Sequence, residues 1–257
     1  MPLIPPPRIP GRLPLTIDGV WVGSVDERAL QQLHTLGRFP SNAIVAPPAD
    51  GDAPGVHLLG TATSLLEELG LALHAAHLCP SPRGEILTVW GLYGQALGRV
   101  DRSFSRVLGL ITRSVHLTLC SHEGVWVQKR AQTKATDPGL WDTAVGGTCC
   151  DGETDQESLE RELWEEAGLR LDALQQLSVV GSVCMQGPCT VEAYAGYQIE
   201  HITCMAAYLD SASTPVNQDG EVDAFALVSV AQMYDMMRQG QFTKDACVVL
   251  NRCIPPS

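Results

Sequence analysis

The sequence predicts an α+β protein in which helices pack on a mixed sheet, and three observations carry that prediction. Its 257 residues are 45% hydrophobic and 18% charged, enough to bury a sizeable core and too apolar for a disordered chain. Apolar runs at 115–120 and 125–129 flank the turn-forming residues 121–124, the pattern of a hairpin. Residues 155–167 then form a helical stretch with its own start and stop signals, so strands and a helix alternate within one segment.

The elements follow in chain order. Six prolines fall in the first fourteen residues, MPLIPPPRIPGRLP, and mark residues 1–14 as an extended lead, because proline fixes its torsion and donates no backbone hydrogen bond. That lead lacks the apolar core of a secretory signal. Residues 15–23 alternate apolar and polar around Asp18-Gly19, a hairpin signal. A helix follows, with Ser24 as its expected cap, Asp26 and Glu27 in its first turn, Leu30 and Leu33 on one face and Gly37 as its stop. Short strands at 43–45 and 56–59, a helix over 64–78 and a strand at 86–90 complete a small α+β domain over residues 15–100, with a boundary expected at 94–102. The remainder, 101–257, adds strand candidates at 143–146, 177–183, 191–197, 202–208 and 225–229 and helices at 230–238 and 244–251.

Composition excludes several classes of function. Seventeen Lys and Arg against 29 Asp and Glu give a formal charge of −12, which argues against nucleic-acid polymers as partners. No run reaches the roughly 18 apolar residues of a membrane span. Nine irregularly spaced cysteines fit a reducing, cytoplasmic setting better than a disulfide scaffold. Cys184 and Cys189 lack a second ligand pair, and His74, His77 and His116 have no visible partners, so all five read as structural.

The chemistry concentrates in GTCCDGETDQESLERELWEEAGL, residues 147–169. Thr154 with Glu157 forms a capping box, Gly168 can leave the helix in a left-handed turn, and Leu159, Leu163 and Ala167 recur at helical spacing. On another side Glu162, Glu165 and Glu166 stand at i, i+3 and i+4, where like charges repel by a few tenths of a kcal/mol per pair. Arg161 alone cannot neutralise these three together with Glu153. A hard divalent cation can: Mg²⁺ takes oxygen ligands from carboxylates and substrate phosphates. Gly146-Gly147 permits close backbone approach and offers a carbonyl as a further ligand. The competing reading on charge alone is a solvated acidic face.

The spacing G-x5-E-x7-R-E-U-x-E-E-x-G-U, with U bulky and apolar, is met without departure by Gly147, Glu153, Arg161, Glu162, Leu163, Glu165, Glu166, Gly168 and Leu169. This resembles the Nudix box. Seven fixed identities at about one in fifteen each make a chance match on the order of one in a hundred million per starting point. The resemblance implies a Nudix α/β/α sandwich around a mixed sheet and hydrolysis of a diphosphate with Mg²⁺ or Mn²⁺. It also implies roles. Glu165 and Glu166 resemble the principal metal ligands, Glu162 the residue that binds metal or activates water, and Arg161 the one that orients the carboxylates. Glu153 and Gly147 support the arrangement, and Gly146 matches the position whose carbonyl reaches the metal. No covalent intermediate is needed, so Cys149 and Cys150 read as packing or spacer residues.

The flanks resemble a narrower group. QKRAQTKATDPGLWDTAVGG, residues 128–147, and NQDGEVDAFAL, residues 217–227, are similar to the thiamine-pyrophosphokinase-related Nudix hydrolases, which also carry a small N-terminal domain. That implies a thiamine-diphosphate-like substrate, including oxidised forms, cut to the monophosphate. Lys129, Arg130 and Lys134 are then candidate diphosphate contacts, Glu221 an added carboxylate, and Trp141 and Asp142 site-lining or loop-anchoring residues. Lys244-Asp245 stands where a Pro-Asn pair is commoner, a departure that bears on the substrate. The expected partner is a small diphosphate, with neither nucleic-acid polymer nor membrane involved and a homodimer compatible with the sequence. Two rivals are an isopentenyl-diphosphate isomerase, whose T-x-H-E-W-D-Y type segment has no counterpart after residue 170, and a non-catalytic ligand sensor, which would ordinarily have lost box carboxylates.

Overall fold

The computed structural model describes residues 9–41, 43–46, 55–210 and 213–255. Residues 1–8 of the expected lead lie outside the described residues, and 12–14 of it already belong to the first strand. The chain forms two compact units: Met1–Thr112 with Cys150–Gly152 and Gln186–Glu200, and Arg113–Cys149 with Glu153–Met185 and His201–Ser257. Residues 94–102, where a boundary was expected, form a turn and strand inside the first unit, because 96–101 pair with 86–90.

In the first unit, β1 (Arg12–Ile17), β2 (Val20–Asp26), β3 (Ala43–Ala46) and β4 (Gly55–Leu58) make a sheet in the order β2-β1-β4-β3. The β1–β2 hairpin turns at Asp18-Gly19, both with positive φ, as the alternation predicts. Helix α1 (Glu27–Thr35) buries Leu30 and Leu33 and ends before Gly37, whose φ is 63°. Its cap is Asp26, which accepts from the Arg28 and Ala29 amides, and not Ser24. The pairing of β2 continues to Asp26, so Ser24 is still in the strand, where its hydroxyl accepts from buried Arg12 at 2.9 Å. Helix α2 (Ala62–Ala75) starts and stops earlier than the expected 64–78, since His77 takes a positive φ of 57°. Strands β5 (Ile86–Trp90) and β6 (Ala96–Asp101) form a separate hairpin, followed by the single turn α3 (Arg102–Ser105). The Phe104 ring packs against α2 where Gly70 has no side chain, so a β-carbon at residue 70 would enter the ring.

The second unit is built on most of a seven-stranded sheet of β7 (Ile111–Cys120), β8 (Val125–Arg130), β9 (Trp141–Thr143), β10 (Val145–Thr148), β11 (Leu174–Val191), β12 (Tyr194–Leu209) and β13 (Val222–Val228), of which residues 111–112, 186–191 and 194–200 belong to the first unit. The order is β11-β12-β7-β8-β13, with β10 on β7 and β9 on β8. Residues 191–197 are not the separate strand their apolar character suggests. They hold the turn between two long strands, with Glu192 at a φ of 56°.

Alternation decides the two faces of the sheet. Val115, Leu117 and Leu119 of β7 pack with Leu159 and Leu163 of α4 (Asp155–Ala167). Val125 and Val127 of β8 pack on the opposite side with Met233 of α5 (Val230–Arg238) and with Ala246 and Leu250 of α6 (Lys244–Cys253). Helices therefore cover both faces of the sheet, in an α/β/α arrangement. No helix among the described residues is long and apolar enough to cross a membrane.

Helix α4 has the expected ends. Thr154 and Glu157 cap each other reciprocally, and Gly168 at φ 63° lets the Leu169 amide return to the Leu163 carbonyl at 3.2 Å. Thr154→Ala should cost about 1 kcal/mol of stability, read as a lower melting temperature with little change in site chemistry.

Candidate active site

Each carboxylate of the acidic face has a position that the local fold explains. Helix α4 lies against β10, and Gly147 of β10 faces Glu162 so closely that a β-carbon there would sit inside the Glu162 carboxylate. At Gly146 the restriction comes from the other face, where a β-carbon would stand 2.7 Å from Nδ1 of His116. The Gly-Gly pair is thus a thin stretch of strand between a helix carboxylate and an imidazole.

Arg161 gathers three of the four glutamates. Its Nε and Nη2 donate to the two oxygens of Glu153 at 2.8 and 2.9 Å, a bidentate pair. Its Nη1 donates to Glu162 at 2.6 Å and to Glu165 at 3.2 Å, and Nη2 also reaches the Thr148 carbonyl at 3.1 Å. Arg161 therefore ties the loop that opens the box to the acidic face of the helix. Glu165 is 43% exposed, whereas Glu162 is mostly covered.

Glu166 stands apart. It is 1% exposed, and its Oε2 accepts from the Gly146 amide at 2.9 Å and from Gln128 Nε2 at 3.0 Å. Burial, and secondly the Glu162 charge, push its carboxyl up to about 8 against the opposing pull of Lys134, Gly146 and Gln128. Lys134 Nζ lies 3.9 Å from Glu166 Oε1 and pairs with Glu221 as well. Glu221 arrives because the preceding loop docks on the end of α4: the Gln218 and Asp219 amides donate to the Glu165 carbonyl at 3.1 and 3.2 Å, and Val216 to Ala167 at 2.8 Å.

The structure therefore brings together Glu153, Arg161, Glu162 and Glu165 as one group and Gly146, Glu166, Lys134 and Glu221 as another. It gives Arg130 and Lys129 different surroundings. Arg130 donates to Asp142 at 3.1 Å and to the Thr136 carbonyl at 3.0 and 3.3 Å, and so braces the loop that carries Lys134. Lys129 alternates onto the face of β8 that carries Val127, opposite Gln128 and Glu166. Trp141 packs with the α5–α6 core, and Asp142, 3% exposed, accepts from the Thr143 amide at 2.8 Å. Cys149 lies in the α4 core, where burial pushes its thiol up to about 11 and leaves it a poor nucleophile.

Two features were not read from the sequence. His116 shares a hydrogen bond of 2.9 Å with the Thr143 hydroxyl behind Gly146. Gln128 is 1% exposed, and its Oε1 is buried with no hydrogen-bond partner. Its place at the end of VWV, on the strand face that alternation shares with Trp126, was the available signal.

Among the described residues, no three His, Cys, Asp or Glu side chains stand together as a ready-made metal set. The chemistry of the donors nevertheless suits a hard divalent cation. All are oxygens, Glu166 is a buried carboxyl whose nearby cation among the described residues is Lys134, and Gln128, which donates to Glu166, keeps a buried carbonyl oxygen without a partner.

Comparison with known proteins agrees with this geometry. The profile of the NUDIX domain matches residues 110–246. Nudix hydrolase 24, chloroplastic, of Arabidopsis thaliana is 30% identical over 175 residues, covering 66% of this chain and 47% of its own. Nudix hydrolase 20, chloroplastic, of the same plant is 25% identical over 246 residues, covering 91% of this chain and 65% of its own, so this chain spans about half to two thirds of these relatives. The crystal structure of DR0079 from Deinococcus radiodurans has the same fold, with a TM-score of 0.53, 20% identity, and coverage of 66% of this chain and 99% of that one. With the box complete, its helix packed on the sheet and the profile matched across more than half its length, the chain belongs to the Nudix family.

Proposed function

We propose that this protein is a divalent-metal-dependent diphosphatase that cuts a small organic diphosphate to its monophosphate. The observation that carries the reading is Glu166, a fully buried carboxyl beside Glu162 whose ionised form needs more positive charge than Lys134 supplies. A bound Mg²⁺ or Mn²⁺ would supply it, and would withdraw charge from the diphosphate oxygens and acidify a coordinated water. Glu162, Glu165, Glu166 and the Gly146 backbone are the groups that would hold the metal.

The protein's own residues do the rest. Arg161 keeps Glu153, Glu162 and Glu165 on one side of α4 and ties them to Thr148, so the carboxylates are oriented before substrate arrives. Glu162, packed against Gly147 and largely out of water, is the candidate to accept a proton from the attacking water. Lys134, between Glu166 and Glu221, is the cation placed to meet a substrate phosphate. Arg130 acts indirectly by holding the Lys134 loop.

The thiamine-diphosphate-like substrate rests on the resemblance of residues 128–147 and 217–227. The structure supports a joint role for those two stretches, since each delivers one partner of the Lys134–Glu221 pair. The test is a panel with Mg²⁺ of thiamine diphosphate, its oxidised analogues, nucleoside diphosphate sugars, dinucleotides and isopentenyl diphosphate. One thiamine-type compound should be preferred, and Glu165→Gln should lower its turnover about a hundredfold or more. Conversion of isopentenyl diphosphate alone, with no monophosphate formed, would replace this reading with the isomerase. Binding without turnover would replace it with a sensor.

A further inference from the structure

Gln128 projects from β8 toward α4 with one end of its amide committed to Glu166 and the other end buried without a partner. Nε2 donates to Glu166 Oε2 at 3.0 Å, and the Gly146 amide donates to that same oxygen at 2.9 Å. Two fixed donors on Oε2 hold the carboxylate in one rotation and leave Oε1 as the oxygen facing Lys134. The other end of the amide, Oε1 of Gln128, is buried with no partner, in a residue that is 1% exposed. A buried carbonyl of this kind costs stability unless a donor arrives, and apolar replacement would remove the cost. Its retention beside the acidic face is explained by a donor that comes with the ligand, and the waters of a hydrated divalent cation are such donors.

We propose that Gln128 is the positioning residue for the metal: with the Gly146 amide it fixes Glu166 Oε2 and leaves Oε1 as the oxygen that would be offered to a cation, and its own buried carbonyl would take a donor that arrives with that cation. The proposal rests on the metal-dependent reading above, but it concerns a residue outside the box. Supporting partners of this type ordinarily change metal affinity by about 10–100-fold. Apolar substitution at most buried polar positions shows first as lost stability, whereas here it should show as lost metal affinity.

The experiment uses the full chain, Mn²⁺ as the probe, and calorimetric or electron-paramagnetic titration in the absence of substrate. Gln128→Met, close in volume and without polar ends, is expected to raise the Mn²⁺ dissociation constant by about tenfold or more, with the metal-free melting temperature recording separately the loss of its hydrogen bond to Glu166. In turnover assays the variant should need correspondingly more metal, with KM for the organic diphosphate nearly unchanged once metal saturates. Gln128→Glu removes the donor to Glu166 but keeps an acceptor, and should recover part of the Mn²⁺ affinity lost in Gln128→Met. Unchanged Mn²⁺ affinity in Gln128→Met, with or without a lower melting temperature, overturns the proposal and leaves the diphosphatase reading standing. Wild-type protein that binds no Mn²⁺ at millimolar concentration overturns both.

Discussion

Glu166→Gln is expected to lower turnover roughly a thousandfold and, in the presence of a chelator, to make the protein more stable than wild type at pH 8. Both effects have one cause. In the metal-free fold, burial first and the Glu162 charge second raise the Glu166 carboxyl from an ordinary 4.5 to about 8. The folded state therefore keeps a proton that the unfolded chain has already released. Stability from this group is complete below pH 4.5 and is lost as the pH climbs to about 8. Wild-type melting temperature in chelator should fall across that window. Gln has no proton to lose, so the variant should lack this part of the decline while also lacking the ligand charge. Saturating Mn²⁺ should restore wild-type stability at pH 8 and do far less for the variant. A wild-type curve with no such decline, or a fully active variant, would refute the account of this carboxyl.

Gly147→Ala should separate stability from activity in the other direction. The residue lies in β10 with a backbone conformation open to any amino acid, so the substitution carries no torsional strain, and Gly→Ala at such a site can stabilise by about 0.4–1 kcal/mol through the unfolded state. The new methyl would nevertheless occupy the space of the Glu162 carboxylate. That carboxylate is the end of a flexible side chain, so it moves aside cheaply and leaves Arg161 with Glu153 and Glu165. We expect a melting temperature within a few degrees of wild type, as about 1 kcal/mol shifts a domain of this size by only about 2–4 °C. Activity should fall by about a hundredfold or more, because a misplacement near 1 Å costs about that much. Activity within a few-fold of wild type would remove Glu162 from the reaction.

These expectations show how the two halves of the site differ in legibility. Local signals fixed α4 at both ends, because the capping box and the left-handed Gly168 act within the helix's own turns. The same holds for the Asp18-Gly19 hairpin. Where a strand competes with a cap, local signals lose. Ser24 has the chemistry of a cap but stays in β2, since the ladder with β1 continues to Asp26 and Arg12 takes its hydroxyl.

By itself, the sequence determined that a short helix presents three glutamates and one arginine, with a fourth glutamate in the loop before it, at the spacing of the Nudix box, and that a sheet lies beneath it. Those features are periodic and local, so they survive without knowledge of what packs on them. Only the tertiary structure decided how the charges divide: Arg161 takes Glu153, Glu162 and Glu165, while Glu166 turns inward to Gln128 and Gly146. It also decided that Arg130 braces a loop, that Lys129 faces the other side of the sheet, and that Lys134 meets Glu221 across 87 positions of chain. The physical reason is that desolvation and charge pairing depend on which face of which strand a side chain occupies, and that is set by long-range strand register, which no local spacing encodes.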